Sequence, residues 1–281
     1  MTTAGQPEAW NENWASPDRL FTRRTPRTLR QLWQRAYFED LWRRLDAAGL
    51  TAGAGPLVAC EQGSGRGTTS MYLAARGAAV TLVDLAPNAL GEAKAAFAED
   101  GLGDPSAVLA DVRDTGLPSD HFDCVYNIGL LEHFDDPLPV LREAVRILKP
   151  GGVLFFVVVP VVPERNKRLV RALFSPWRLV PEPVKAAVRP WRGLHRSQPV
   201  FHRTEFTRDA WSDWMVAAGA TSVEVIPYNP FHPPVLGDAF ERRVAVPLYR
   251  AALAVGQRWG RDRGLQTRAG FELCDLVTGS K

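Results

Sequence analysis

Between residues 57 and 159, apolar runs of strand length alternate with segments of helical period, and this alternation limits the fold more than any other feature. LVACEQG (57–63) reads as a buried strand, and a Gly-rich stretch leads from it into a helix over TTSMYLAAR. AVTLVDL (79–85) reads as a second strand, followed by a helix around NALGEAKAAFAED. AVLADV (107–112) and FDCVYNIG (122–129) read as the third and fourth strands. Leu138, Leu141, Val145 and Leu148 then share one helical face, and Lys149-Pro150-Gly151-Gly152 is expected to end that helix. VLFFVVV (153–159) is apolar at every position, as a strand covered on both faces should be. Such alternation implies a parallel sheet with right-handed crossovers. Further on, TRDAWSDWMVAAG (207–219) reads as a helix, SVEVIPYN (222–229) as a strand, residues near 237–258 as a helix and GFELCDLVT (270–278) as a last strand. Upstream, Leu29, Trp33, Tyr37, Leu41 and Leu45 recur every four residues and predict a helix from Thr28 to Ala48.

The first strand-to-helix junction carries Glu61-Gln62-Gly63-Ser64-Gly65-Arg66-Gly67. Glycines are needed where backbone turns tightly and meets a ligand with no side chain between. Asp84 ends the second strand 17 residues after Gly67, where a carboxylate can accept from two ribose hydroxyls. The spacing differs from a dinucleotide fingerprint, because Thr68 stands where its last glycine would be. No Gly-Lys-Ser/Thr follows, which excludes a P-loop.

With the glycine turn, Asp84, Asp111, Asn127 and Leu148-Lys149-Pro150-Gly151-Gly152 in this order, the chain resembles the class I S-adenosylmethionine-dependent methyltransferases, and within them the small-molecule branch. The resemblance implies an α/β, Rossmann-like, seven-stranded, mostly parallel sheet with an antiparallel last strand. It is close over 51–160, faint over 204–281 and uninformative elsewhere. The expected organisation is an N-terminal helical cap (1–50) and a methyltransferase domain (51–281) with a basic, aromatic insert after the fifth strand (161–203). By position, the backbone around Glu61, Gly63, Gly65 and Gly67 would cradle the methionine part of S-adenosyl-L-methionine. Asp84, followed by Leu85, would hold the ribose. Asp111 would accept from the adenine amino group, with the Val112 amide facing the ring. The Asn127 carbonyl would approach the methionine ammonium.

Methyl transfer from a sulfonium is an in-line displacement, so a base is needed only where the acceptor must lose a proton. His133, after the fourth strand, is the candidate base, with Glu132 as base or cation partner; the alternative is that the pair merely orders its loop. His195, His202, His232, Tyr37 and Tyr228 are weaker candidates for facing the acceptor. Asn127-Ile128-Gly129-Leu130 is no Asn/Asp-Pro-Pro-Tyr/Phe motif, which argues against a nucleobase amine as acceptor. No His and carboxylate cluster suggests a metal, and nothing resembles a nucleic-acid-binding module.

The net charge of +3 over 281 residues hides a division. Residues 51–160 carry 7 basic and 14 acidic side chains, and residues 161–203 carry 10 and 2. The acidic block suits a cationic cofactor. The basic block, interleaved with Leu, Val and Trp, has three readings: a solvated cap, a gate for an anionic acceptor, or a peripheral membrane patch. All nine tryptophans lie outside 51–160, as an aromatic cover for a flat acceptor would require. Cys60, Cys124 and Cys274 are far apart in apolar runs and are expected to be reduced thiols in a cytoplasmic chain. The beginning lacks a signal pattern, and the longest apolar run is too short to span a bilayer. The expected activity is O- or N-methylation of a small organic acceptor in secondary metabolism. Two alternatives stay open: methylation of a lipid or quinone-type acceptor at a membrane, and a non-methylating cyclase or binding scaffold on the same fold.

Overall fold

The computed structural model describes residues 20–53, 55–159, 206–228, 241–248, 250–251 and 274–281. The 161–203 insert, His195, His202 and His232 lie outside the described residues, as do the side chains of Trp33, Tyr228 and Cys274. Helix α1 (Leu29–Ala47) comes first, then β1 (Val58–Gln62), α2 (Thr68–Ala74), β2 (Ala79–Asp84), α3 (Pro87–Glu99), β3 (Ser106–Leu109) and β4 (Phe122–Ile128). Helix α4 (Leu138–Ile147), β5 (Leu148–Val158), α5 (Arg208–Ala217), β6 (Thr221–Tyr228) and β7 (Cys274–Ser280) follow.

Among the described residues, seven strands form one sheet in the order β3-β2-β1-β4-β5-β7-β6. β1 pairs in parallel with both β2 and β4, so the chain reverses its direction of strand addition at β1. β7 enters antiparallel between β5 and β6. The sheet is therefore the mostly parallel one expected, with its antiparallel last strand.

Helices cover both faces. On one, Tyr37, Phe38, Leu41 and Leu45 of α1, Met71 and Leu73 of α2 and Leu90 and Phe97 of α3 bury against Ala59, Tyr126, Phe155 and Leu276. On the other, Val140, Leu141 and Ala144 of α4 and Trp211 and Met215 of α5 bury against Cys60, Val125, Leu154 and Phe156. β1, β4 and β5 have helices above and below, which is why their sequences read as continuous apolar runs. α1 is seated through Phe38, whose ring stacks on Tyr72 at 5.2 Å between centroids. Thr28 caps its start by accepting from the Gln31 amide.

Three boundaries differ from expectation. The third strand stops at Leu109, and Asp111 and Val112 lie in a turn where Arg113 donates from its amide and guanidinium to Asp111. Ladder pairing with β2 ends at Asp84–Leu109, so nothing extends the strand further. Leu148-Lys149-Pro150-Gly151-Gly152 does end the helix, but Leu148 already pairs with Phe122, so β5 begins there with a register shift. β7 finishes later than the apolar pattern suggested, at Ser280, because Val153 of β5 still pairs with it there.

Candidate functional site

The C-terminal ends of β1, β2 and β4 meet where strand order reverses, and in open α/β sheets this crevice is where ligands bind. Leaving β1, the chain turns through Gly63, Gly65 and Gly67 with φ of 61°, 49° and 62°. Only glycine takes these values without strain. The Ser64 amide donates to the Val83 carbonyl and the Gly65 amide to Asp84 Oδ2, both tying the turn to β2. A Cβ on Gly63 would lie 2.6 Å from Leu130 Cδ1, so the glycine lets the loop after β4 close on the turn.

Asp84 is 7% exposed and accepts from Gly65 through Oδ2 and from Ala86 through Oδ1, each at 2.8 Å. Burial raises its carboxyl above the ordinary value, against the pull of the Ala86, Gly65 and Leu85 amides. Two amide donors leave a carboxylate further lone pairs for a ligand. Leu85 beside it is half-buried.

Glu61 is buried on the opposite side of β1 from Cys60 and Gln62. Its Oε2 accepts from Ser70 Oγ at 2.6 Å, from the Ser70 amide at 3.3 Å and from Tyr126 Oη at 3.4 Å. Gly67 gives α2 no side-chain cap, so Glu61 satisfies one of the helix's unmatched first-turn amides from outside. Burial pushes its carboxyl up to about 7, against the hydrogen bonds of Ser70 and Tyr126, and Asp84 adds to the rise. Ser70 and Tyr126 could not be foreseen as its partners from spacing. Their signal is the β1–β4 register, which sets Glu61 beside Tyr126.

Gln62 and Asn127 are wholly buried, and the Asp111 side chain is partly exposed. Arg113 grips Asp111 through Nε at 2.9 and 3.0 Å. Burial lifts the Asp111 carboxyl, but the Arg113 guanidinium and amide outweigh it and hold it below the usual range. Val112 is buried, and its carbonyl accepts from Gln62 Nε2 at 3.4 Å. Glu132 and His133 sit in the 3-10 turn Leu131–His133, both buried, with His133 Nε2 4.0 Å from Glu132 Oε1. Tyr37 is buried in the α1 core. Among the described residues, no set of three His, Cys, Asp or Glu is placed to hold a metal ion, and no helix is long and apolar enough to cross a membrane.

A methyltransferase-domain profile matches residues 60–156, which span β1 to β5. A ubiquinone biosynthesis O-methyltransferase from Nitrosomonas europaea is 28% identical over 182 residues, 64% of this chain and 72% of that one. One of the same name from Pseudomonas fluorescens is 30% identical over 173 residues, 60% of this chain and 68% of that one. Among solved structures, phosphoethanolamine N-methyltransferase 2 of Haemonchus contortus, in complex with S-adenosyl-L-methionine, superposes with a TM-score of 0.52. That match has 16% identity and covers 88% of this chain and 56% of that one, a likeness of fold. Sequence identity that reaches beyond the glycine turn, on a sheet of this strand order, places the chain in the class I S-adenosylmethionine-dependent methyltransferases.

Proposed function

We propose that the chain moves the methyl group of S-adenosylmethionine to a hydroxyl or amine of a small organic acceptor. The observation that carries this is the glycine turn held by Asp84 at the point where strand order reverses. The residues suit the cofactor. The turn leaves backbone bare of side chains, Asp84 keeps lone pairs for two hydroxyls, and Ser64 Oγ is buried with no partner among the described residues. When bound, the cofactor supplies an activated methyl group on a cationic sulfur. In this reading the backbone of Gly63, Gly65 and Gly67 carries the methionine part, beside the Asn127 carbonyl. Asp84 and Leu85 take the ribose, and Asp111 and Val112 take the adenine.

The chain's own contribution is then placement, exclusion of water and handling of one proton. His133 is the group we assign to accept the acceptor's proton. Glu132, 4.0 Å away, would stabilise the imidazolium that results. The relatives' names favour a hydroxyl as the acceptor atom and put methyl transfer ahead of a non-methylating role. The Arg- and Trp-rich sequence of 161–203 supports an acceptor with an anionic or aromatic part.

Calorimetric titration with S-adenosylmethionine tests the cofactor site. Asp84→Asn keeps the size of the side chain but removes its charge, and should weaken binding at least tenfold, the effect of about 1.4 kcal/mol. Unchanged affinity would refute the site. His133→Gln should lower turnover to S-adenosylhomocysteine with phenolic or amine acceptors while leaving cofactor affinity alone. Equal turnover would remove His133 from the reaction.

A further inference from the structure

We propose that Gln62 and Asn127 act together as positioning residues that fix the loop after β3, and so set how strictly the cofactor's adenine is read. The proposal rests on the reading that Asp111 meets the adenine amino group. Both side chains are fully buried. Gln62 lies two residues beyond Cys60 on β1, and Asn127 two beyond Val125 on β4. Strand alternation therefore aims both at the face where Cys60, Val125, Val112 and Leu131 pack. Glu61 and Tyr126 are register partners, so Gln62 and Asn127 occupy the next rung, side by side.

Two neutral amides thus share one buried rung on a face whose preceding rung, Cys60 and Val125, is apolar. Gln62 Nε2 donates to the Val112 carbonyl at 3.4 Å, next to Asp111. Gln62 Oε1 and both polar atoms of Asn127 have no partner among the described residues. Each buried polar atom left unmatched costs about 1–3 kcal/mol. The two amides make no direct hydrogen bond, and one enclosed water between them would accept from Asn127 Nδ2 and donate to Gln62 Oε1. Joined in this way, the pair links the end of β4 to the Val112 carbonyl and holds the turn in which Asp111 and Arg113 sit. An apolar residue at 62 would fill the space equally well but would leave that carbonyl, and hence the loop, untied.

The test compares binding of S-adenosylhomocysteine and S-inosylhomocysteine, which differ at the adenine amino group, in the full chain by calorimetry. The wild type should prefer the adenosyl form. Asp111→Asn should narrow that preference, and Gln62→Leu should narrow it by about tenfold as well, equivalent to one buried hydrogen bond. The double variant Gln62→Leu/Asn127→Leu strands no amide. It should regain thermal stability relative to Gln62→Leu but keep the narrowed preference, a combination that a purely structural role would not give. If Gln62→Leu does not fold, the double variant carries the same comparison against the wild type. Narrowing in Asp111→Asn without narrowing in either Gln62 variant would overturn the proposal and leave the adenine reading intact. Narrowing in none of them would overturn both.

Discussion

Replacing Glu61 by Gln should make the apo protein more stable at pH 8 and leave it nearly unchanged at pH 4.5. Glu61 is buried, and its carboxyl titrates at about 7 instead of 4.5. Between these values the folded chain keeps a proton that the unfolded chain has released. Stability therefore falls as pH rises through this window, and the loss levels off above pH 7. At 1.36 kcal/mol per unit, the full loss is about 3 kcal/mol. Gln is neutral throughout, and its carbonyl can still accept from the Ser70 amide. Thermal unfolding of both proteins from pH 4.5 to 8.5 reads the effect as a difference, in which Asp84 and the other titrating groups largely cancel. At roughly 2–4 °C per kcal/mol for a chain of this order of size, Glu61→Gln should melt about 6–12 °C above the wild type at pH 8. A difference that stays flat across the window, or a variant less stable at pH 8, would show that Glu61 ionises as readily in the folded apo protein as in the unfolded chain and refute the argument. The same charge links to the ligand. A sulfonium and an ammonium placed near Glu61 should draw its proton off, so cofactor binding at pH 6.5 should release protons in the wild type but not in Glu61→Gln. Titration in two buffers of different ionisation enthalpy measures this directly.

Three further outcomes follow from packing and charge. Gly63→Ala places a Cβ 2.6 Å from Leu130 Cδ1 at a φ of 61°, and should cost about 1–3 kcal/mol in urea unfolding and weaken cofactor binding. Glu143 accepts from Arg146 Nε and Nη2, both at 2.7 Å, and from Thr115. Burial raises its carboxyl, but Arg146 and Thr115 together hold it below the ordinary value. It therefore contributes stability above pH 4.5 that is lost as pH falls, and Glu143→Gln should cost about 2 kcal/mol in urea at pH 7 but little near pH 3. Phe38→Ala empties the contact with Tyr72 and should cost about 3–5 kcal/mol, with faster amide exchange along 29–47.

The sheet was legible because its central strands are apolar on both faces and its helices carry four-residue stripes. Two signals failed for physical reasons. AVLADV looks like a strand throughout, yet among the described residues β3 lies at the edge of the sheet, and its neighbour, β2, stops at Asp84. The α1 stripe of Tyr37, Leu41 and Leu45 predicted the buried face but missed Phe38, which reaches Tyr72 on α2, a partner no local period reveals. The glycine turn and Asp84 were readable from spacing alone. The Asp84–Gly65 hydrogen bond, which gives that spacing its structural reason, was not. Glu61 could be marked as a site residue, but its tie to Tyr126 crosses 65 positions and exists only through the β1–β4 register. Gln62 was visible as a polar residue at the end of an apolar strand, and only its burial beside Asn127 gives that anomaly a meaning.

The same register explains how one strand can organise both walls of the cleft. Successive residues of β1 point to opposite faces. Glu61 turns toward α2 and holds the amide of Ser70 in the helix's first turn, while Gln62 turns the other way and holds the Val112 carbonyl after β3. Asp84 on the neighbouring strand fastens the glycine turn between them. Each of these side chains is buried, comes from a strand and bonds to backbone, so the loops that would meet the cofactor are set by the sheet. Substitutions at 61, 62 and 84 must therefore change stability and binding together. Only comparisons that separate the two, such as pH against temperature at 61 or one ligand against its deaminated analogue at 62, can tell a wall of the site from a prop of the fold.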